Sequence, residues 1–267
     1  MTNINTFITN NINGVEFMTS ANIDTTHAFT TRVGGVSGGI YESLNLAQKA
    51  GDTQENVKEN YSLLCRALGI STDDIVCSTQ VHGTHIRTVT RNDCNGLFKP
   101  NPNQADGLIT KTPGVALMVF TADCVPVLLY DPVLKVAGAV HAGWRSTTAN
   151  ITGIAVQRMV EEFGCSPSDI NAAIGPCISK CCFETDADVA DALRETLPEF
   201  ADECLTHFNN KYLIDLKEAN RILLINAGVR DIKVSDECTS CLADRYWSHR
   251  KTCGHRGSQA AVILVKD

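Results

Sequence analysis

Hydrophobic positions change their period along the chain. Between residues 56 and 69, Val57, Tyr61, Leu64 and Leu68 recur at the spacing of one helix face, and Gly69 follows where a left-handed cap suits. Residues 28–31, 75–81, 115–121, 125–130 and 136–141 are short runs rich in β-branched and aliphatic residues and read as strands. Ser146 opens a helix carrying Ile151, Ile154, Met159, Val160 and Phe163; further helices are expected over 187–197 and 216–227, and 260–265 reads as a last strand. Neighbouring strands are joined by turns as well as by helices. The pattern predicts an α/β (α+β) class, a mixed β-sheet with helices packed against it. With no fixed-period repeat and no linker-like stretch, one domain is expected over 16–267, after a flexible Asn/Thr-rich lead-in over 1–15.

At 267 residues and 43% hydrophobic, the chain can bury a full core. A net charge of −7 repels phosphodiester backbones, which argues against a nucleic-acid platform and requires any anionic ligand to be held by local basic groups. No basic segment followed by an apolar one opens the chain, and the apolar runs are too short to span a bilayer. A cytoplasmic, reducing location is therefore expected, with no membrane partner. There the twelve cysteines read as free thiols, core residues or metal ligands rather than a disulfide framework.

The runs 125–130 and 136–141 flank Asp131-Pro132, a turn signal. If Tyr130 pairs with Lys135, extending the ladder sets Cys124 opposite His141, with Cβ atoms about 4.5–5.5 Å apart, close enough to share an ion. His82, at the end of Gln80-Val81-His82-Gly83, could supply a third ligand. Two imidazoles and a thiolate suit zinc and leave a position open, as catalytic zinc requires; a buried cysteine beside two core histidines is the other reading of the same residues. Arg145 follows Ala142-Gly143-Trp144 just before Ser146, where an arginine fork and free backbone N–H groups would make an anion pocket, although it could equally pair with a surface carboxylate. Arg32, before the glycine-rich loop 34–39, is a second candidate anion contact. Asp106 and Asp123 are candidates to orient a histidine or carry a proton, or are turn residues. Cys238 and Cys241, with Cys253 and His255, form a weaker candidate for a second zinc. Cys177, Cys181 and Cys182 read as core packing, and His27, His85 and His207 as structural.

These residues fall in a set of ordered blocks: Phe29-Thr30-Thr31-Arg32 with Gly34-Gly35-Val36-Ser37, YESLNL over 41–46, Gln80-Val81-His82-Gly83, Ala105-Asp106-Gly107-Leu108-Ile109-Thr110, Thr121-Ala122-Asp123-Cys124, His141-Ala142-Gly143-Trp144-Arg145, and Ile174-Gly175-Pro176 leading to Cys182-Phe183-Glu184. From about Phe29 onward the chain resembles the YfiH-type laccase-domain family, also described as polyphenol oxidoreductases or purine nucleoside phosphorylases. The resemblance implies a fold similar to the deamidase domain of cytotoxic necrotizing factors. It implies zinc, with copper possible, on His82, Cys124 and His141, and phosphorolysis of adenosine, inosine and methylthioadenosine with some adenosine deamination. His82, Cys124, His141, Arg145 and Asp123 are then the catalytic candidates, and Arg32, Asn45 and Asp106 the candidates for substrate contact. Ser146, where many members have glycine, and the tail Gly254-His255-Arg256-Gly257-Ser258 depart from the family pattern.

Two other chemistries fit the same residues. Copper-dependent oxidation of phenols needs many imidazoles, and seven histidines with no His-x-His pair supply them poorly. A Cys–His amidase acting in peptidoglycan-precursor editing would use Cys124 as nucleophile and His141 as its base. A purine-sensing protein with purely structural zinc is the non-enzymatic alternative.

Overall fold

The computed structural model describes residues 6–48, 51–94, 96–98 and 102–266. Two six-stranded sheets carry the molecule. The first has the order Phe7–Ile12, Val15–Ser20, His27–Thr30, Gln259–Leu264, Ala116–Thr121, Ile75–Val76; the second has Asp231–Val234, Asn171–Ile174, Val125–Asp131, Val136–Ala142, Gly107–Thr110, Ile86–Thr88. The first sheet is antiparallel except for one parallel pair at an edge, and the second is antiparallel at its centre with a parallel pair at each edge. A small sheet of Glu184–Thr185, Lys211–Ile214 and Leu205–Phe208 stands apart. The α+β class expected from the sequence is the one observed.

The alternation of side chains along each strand sets the layers. In Val125–Asp131, Leu128 and Tyr130 face the first sheet and pack with Leu117, Val119, Phe29, Ala261 and Ile263. Val127 and Leu129 face the other way, onto Ile151, Val156 and Met159 of the helix Ile151–Phe163 and onto Ile222 and Leu223 of the helix Leu216–Asn226. Beyond the first sheet, the helix Gln54–Leu68 lays Val57, Tyr61 and Leu64 on Phe17, Ala116, Met118 and Val262. Helix, sheet, sheet and helices therefore stack in four layers. Thr53 caps the N-terminus of Gln54–Leu68 through Asn56 N–H, and Gly69 ends it in the left-handed conformation, as its position suggested.

Four expectations are corrected. Within the lead-in expected over 1–15, residues 7–12 form a strand paired antiparallel with Val15–Ser20. Asn13 and Gly14, both with positive φ, make the tight turn that such a hairpin needs. In the hairpin 125–142 the register is shifted by two: Asp131 pairs with Val136, and Pro126 rather than Cys124 lies opposite His141. The Asp131 carboxylate accepts from Val133 and Leu134 N–H and Lys135 is left-handed, so four residues form the loop. A shift of two keeps every side chain on its face.

The strand expected over 75–81 stops at Val76. Beyond it the Gln80 amide takes over the part of a strand backbone, accepting from Phe120 N–H at 2.7 Å and donating to Phe120 O at 2.8 Å. The helix expected from Ser146 is two helices, Trp144–Thr148 and Ile151–Phe163, divided at Asn150, which is left-handed and caps the second through Gly153 N–H. Ser146 is buried inside the first and caps nothing. Among the described residues no helix is long and apolar enough to cross a membrane.

Candidate metal centre

His82, Cys124 and His141 converge, with their ligand atoms within 4.8 Å of one another. Cys124 Sγ lies 3.8 Å from His82 Nε2, and the two imidazoles meet edge to face at 4.8 Å between centroids. His141 rides near the end of the central strand Val136–Ala142 and is buried, whereas His82 is exposed and Cys124 half-buried, so the set opens to the surface on one side. The register shift does not separate Cys124 from His141, because the diagonal neighbour on the same face of a hairpin is still within reach of long side chains.

Two of the three ligand candidates stand on or beside unusual backbone. His82 has φ +59° and Asp123, just before Cys124, has φ +87°. Such conformations persist only when the surroundings hold them. Two buried carboxylates do so. Asp106, at 0% exposure, accepts from the backbone N–H of Val81 (3.1 Å), His82 (2.9 Å) and Gly83 (2.8 Å), and its Oδ1 lies 2.8 Å from His141 Nδ1. One side chain thus fixes the His82 loop and aims the other ring nitrogen of His141, Nε2, at the site. Asp123 accepts from Thr239 Oγ1 (2.6 Å), Ser248 Oγ (3.0 Å) and Arg250 N–H (2.6 Å). It ties the Cys124 turn to the segment 239–250. Gly143 is required by space: a Cβ there would stand 2.7 Å from His82 Cδ2 and 3.4 Å from Cys124 Sγ.

The charges are coupled. Burial pushes the Cys124 thiol up, but the charge of His141 and the hydrogen bonds from His141 and His82 outweigh it and bring the thiol down to about 6. Burial lowers His141, and the Cys124 thiolate and the Asp106 carboxylate more than reverse this, raising it to about 9. Without a metal, thiolate and imidazolium are the paired forms at neutral pH. For Asp106, burial opposes ionisation, yet His141 and the Gly83 and Val81 amides hold the carboxyl below its usual range.

The remaining candidates from the sequence are placed differently. Asp106 and Asp123, expected at the substrate and as a proton carrier, are buried and committed to the bonds just described. Arg32 is a structural clamp instead of an open anion contact: it donates to Ala243 O and Glu42 O and stacks on Trp247 at 3.9 Å. Asn45 is fully buried, accepting from Ala47 and Ser258 N–H and donating to Asp52, so it pins a loop and is closed to substrate. Arg145 is exposed on its five-residue helix and lies over the Trp144 ring at 4.2 Å.

Arg256 was missed. It is half-buried, donates to Gly257 O and Ser258 Oγ, and stands close enough for the charges of Cys124 and Asp123 to act on it; burial lowers its pKa against them. The only sign of it in the sequence is its place in the tail Gly254-His255-Arg256-Gly257-Ser258 ahead of the last strand. Cys253 and His255 are exposed and join no cluster with Cys238 and Cys241 among the described residues.

Fold and side chains define a class first: an α+β chain whose His–Cys–His set, backed by a buried carboxylate, is able to hold one metal ion. A family model described as multi-copper polyphenol oxidoreductase laccase matches residues 26–266, and the chain belongs to this family, the YfiH-type laccase-domain proteins. It is 40% identical over 240 residues to the purine nucleoside phosphorylase YlmD of Geobacillus stearothermophilus, covering 88% of each chain. It is also 40% identical over 250 residues to a purine nucleoside phosphorylase of Deinococcus radiodurans, covering 94% of this chain and 93% of the other. The crystal structure of Geobacillus stearothermophilus YlmD superimposes with a TM-score of 0.92 at 35% identity, over 98% of this chain and all of that one. That of the Bacillus licheniformis hypothetical protein YfiH gives 0.90 at 34% identity, over 96% and 97%.

Proposed function

We propose that this chain is a zinc-dependent purine nucleoside phosphorylase that cleaves adenosine, inosine and methylthioadenosine with phosphate, and deaminates adenosine as a side activity. The convergence of His82, Cys124 and His141 on one open-sided point carries the reading, and the names of its relatives support the substrate class.

The donor set fits zinc. Two imidazoles and a thiolate leave a fourth position open, and His141 already has its Nδ1 proton held by a carboxylate, as metal-bound histidines do. A blue-copper site would want an axial thioether, but Met18, Met118 and Met159 all lie in the hydrophobic clusters. A multicopper centre needs further imidazoles, and only one metal-competent group among the described residues contains histidine. When bound, zinc supplies a Lewis-acid centre beside the reacting nucleoside.

The chain's own residues do the rest. Arg256, with the exposed Arg145 two residues beyond Gly143, holds the phosphate dianion in place by charge-assisted hydrogen bonds. A phosphate oxygen bonds to the anomeric carbon as the bond from that carbon to the purine nitrogen breaks; the leaving base takes up, through solvent, the proton that monohydrogen phosphate gives up, and the products are ribose 1-phosphate and free purine. Asp106 keeps His82 and His141 in register throughout, so positioning and fixed charge provide most of the acceleration.

Protein incubated with adenosine, with and without phosphate, distinguishes the products by chromatography. Adenine and ribose 1-phosphate formed only with phosphate are the expected result, with inosine as the minor product. Free ribose, or intact nucleoside at full metal loading, would remove the phosphorylase reading.

One observation favours a second reading. Cys124, His141 and Asp106 stand in the order of a nucleophile, its base and the carboxylate that orients the base, the arrangement of a Cys–His amidase. Zinc on the thiolate would block it. Cleavage of an amide by metal-free protein, lost on alkylating Cys124, would favour that chemistry.

A further inference from the structure

We propose a second metal site, distinct from the first and structural, in which Cys181, Cys182, Cys238 and Cys241 hold one zinc ion as a tetrathiolate. It does not depend on the phosphorylase reading.

Four sulfurs come together from two segments far apart in sequence, all within 4.8 Å of one another. Cys181 Sγ is 3.7 Å from Cys182 Sγ and 3.6 Å from Cys241 Sγ, and Cys182 Sγ is 3.4 Å from Cys241 Sγ. With zinc–sulfur bonds of roughly 2.3 Å, the edges of a tetrahedron of thiolates are about 3.8 Å. The observed distances match that figure and are far longer than the ~2.05 Å of a disulfide. A polynuclear iron–sulfur cluster would spread its four thiolates over separate irons, wider than this group extends. The core packing expected for Cys181 and Cys182 does not hold, since Cys181 and Cys241 are exposed and Cys182 half-buried. Exposed thiols gathered this closely gain nothing from burial.

The surroundings suit a dianionic centre, the net charge of four thiolates around a divalent ion. Ser179 N–H points to Cys238 Sγ at 3.3 Å. The buried Lys217 ammonium bonds Ser179 Oγ (3.0 Å), Ser235 O (2.9 Å) and Glu237 O (2.7 Å), linking both cysteine-bearing segments beside the sulfurs. Arg250 donates to Cys182 O at 3.0 Å. Each segment supplies its pair from a turn, Cys181-Cys182 after Ser179 and Cys238-x-x-Cys241 before Leu242, whose N–H returns to Cys238 O. The turn between Cys238 and Cys241 also carries Thr239, the donor to Asp123. Asp123 in turn precedes Cys124 and gives its carbonyl to Ile178 N–H. An ion here staples the two segments that hold the Cys124 turn in its strained conformation.

The test is metal content by mass spectrometry on protein purified without chelator under reducing conditions. It compares wild type with a Cys181→Ser/Cys241→Ser variant and, separately, Cys124→Ala. About two zinc equivalents are expected in wild type and about one in each variant. Because the double variant could fail to fold, wild-type protein is also reconstituted with cobalt, where four thiolates give thiolate-to-cobalt charge transfer several times stronger than one thiolate can, and intense ligand-field bands at longer wavelength than a His–Cys–His site gives. Cobalt absorption of the His–Cys–His type alone, with one equivalent of metal, would overturn the proposal. So would free reaction of these thiols with a thiol reagent in folded wild-type protein, or a mass showing a disulfide among them.

Discussion

Replacing Asp106 by Asn tests how far one buried carboxylate holds the metal centre together. The change is nearly isosteric and opens no cavity. Asp106 Oδ1 accepts from His82 N–H and meets His141 Nδ1, while Oδ2 accepts from Val81 and Gly83 N–H. An amide has one oxygen and one NH2 group, so whichever way it turns, two of the four partners face a donor. At about 1.5–3 kcal/mol for each hydrogen bond to a charged group, Asp106→Asn should cost about 3–6 kcal/mol of stability. For a chain of this size that is a fall in Tm of roughly 6–24 °C. Zinc affinity should fall about ten- to hundredfold, the usual consequence of removing a histidine's orienting partner. The sign with pH follows from the depressed Asp106 carboxyl. Its contribution is present above the unfolded value of about 3.9 and is lost as pH falls through the lower folded value. The stability gap between wild type and variant should therefore be full at neutral pH and close only in strong acid. Denaturant melts across pH, with chelator-competition titrations of zinc, measure both quantities. A variant within about 1 kcal/mol of wild type and with unchanged zinc affinity would refute the role given to Asp106.

Gly143→Ala should leave the fold intact but push His82 away, because its Cβ would lie 2.7 Å from His82 Cδ2; zinc affinity is expected to drop about ten- to hundredfold, read by the same competition titration. In metal-free protein the Cys124–His141 pair should release about one proton on binding zinc between pH 6 and 9, two below that window and none above it, as calorimetry in buffers of different ionisation enthalpy would show. Arg256→Gln should raise the KM for phosphate about ten- to hundredfold while metal content stays the same, by loss of a charged donor worth about 1.5–3 kcal/mol. An unchanged phosphate dependence would remove Arg256 from the site.

Much of the fold lay in local patterns. The stripe of Val57, Tyr61 and Leu64 and the continuous apolar run 125–130 are set by burial on one face and on two, and both were legible. The first hairpin was obscured because Asn/Thr-rich composition outweighed Asn13-Gly14, a turn signal that only counts once Phe7 and Phe17 are seen to be buried. The hairpin register turned on the Asp131 side chain, which captures two loop N–H groups and lengthens the loop, a competition that residue types alone do not decide. His82, Cys124 and His141 could be singled out because a few residue types suit zinc. Arg32, Asn45 and Asp123 carry equally plausible chemistry, but their polar atoms are used up by tertiary hydrogen bonds that the sequence does not display. Arg256 and the Cys181–Cys182 pair gained their neighbours from segments dozens of residues away, where spacing carries no signal.

Metal on His82, Cys124 and His141 is proposed to be what makes the chain a phosphorylase. The most direct measurement follows ribose 1-phosphate formation from adenosine and phosphate by wild type and Cys124→Ala, with zinc quantified on the same samples. Phosphate-dependent product is expected from wild type, and from the variant a loss of one zinc equivalent together with loss of that product. Full phosphorolysis by a Cys124→Ala protein that has lost the metal would contradict it.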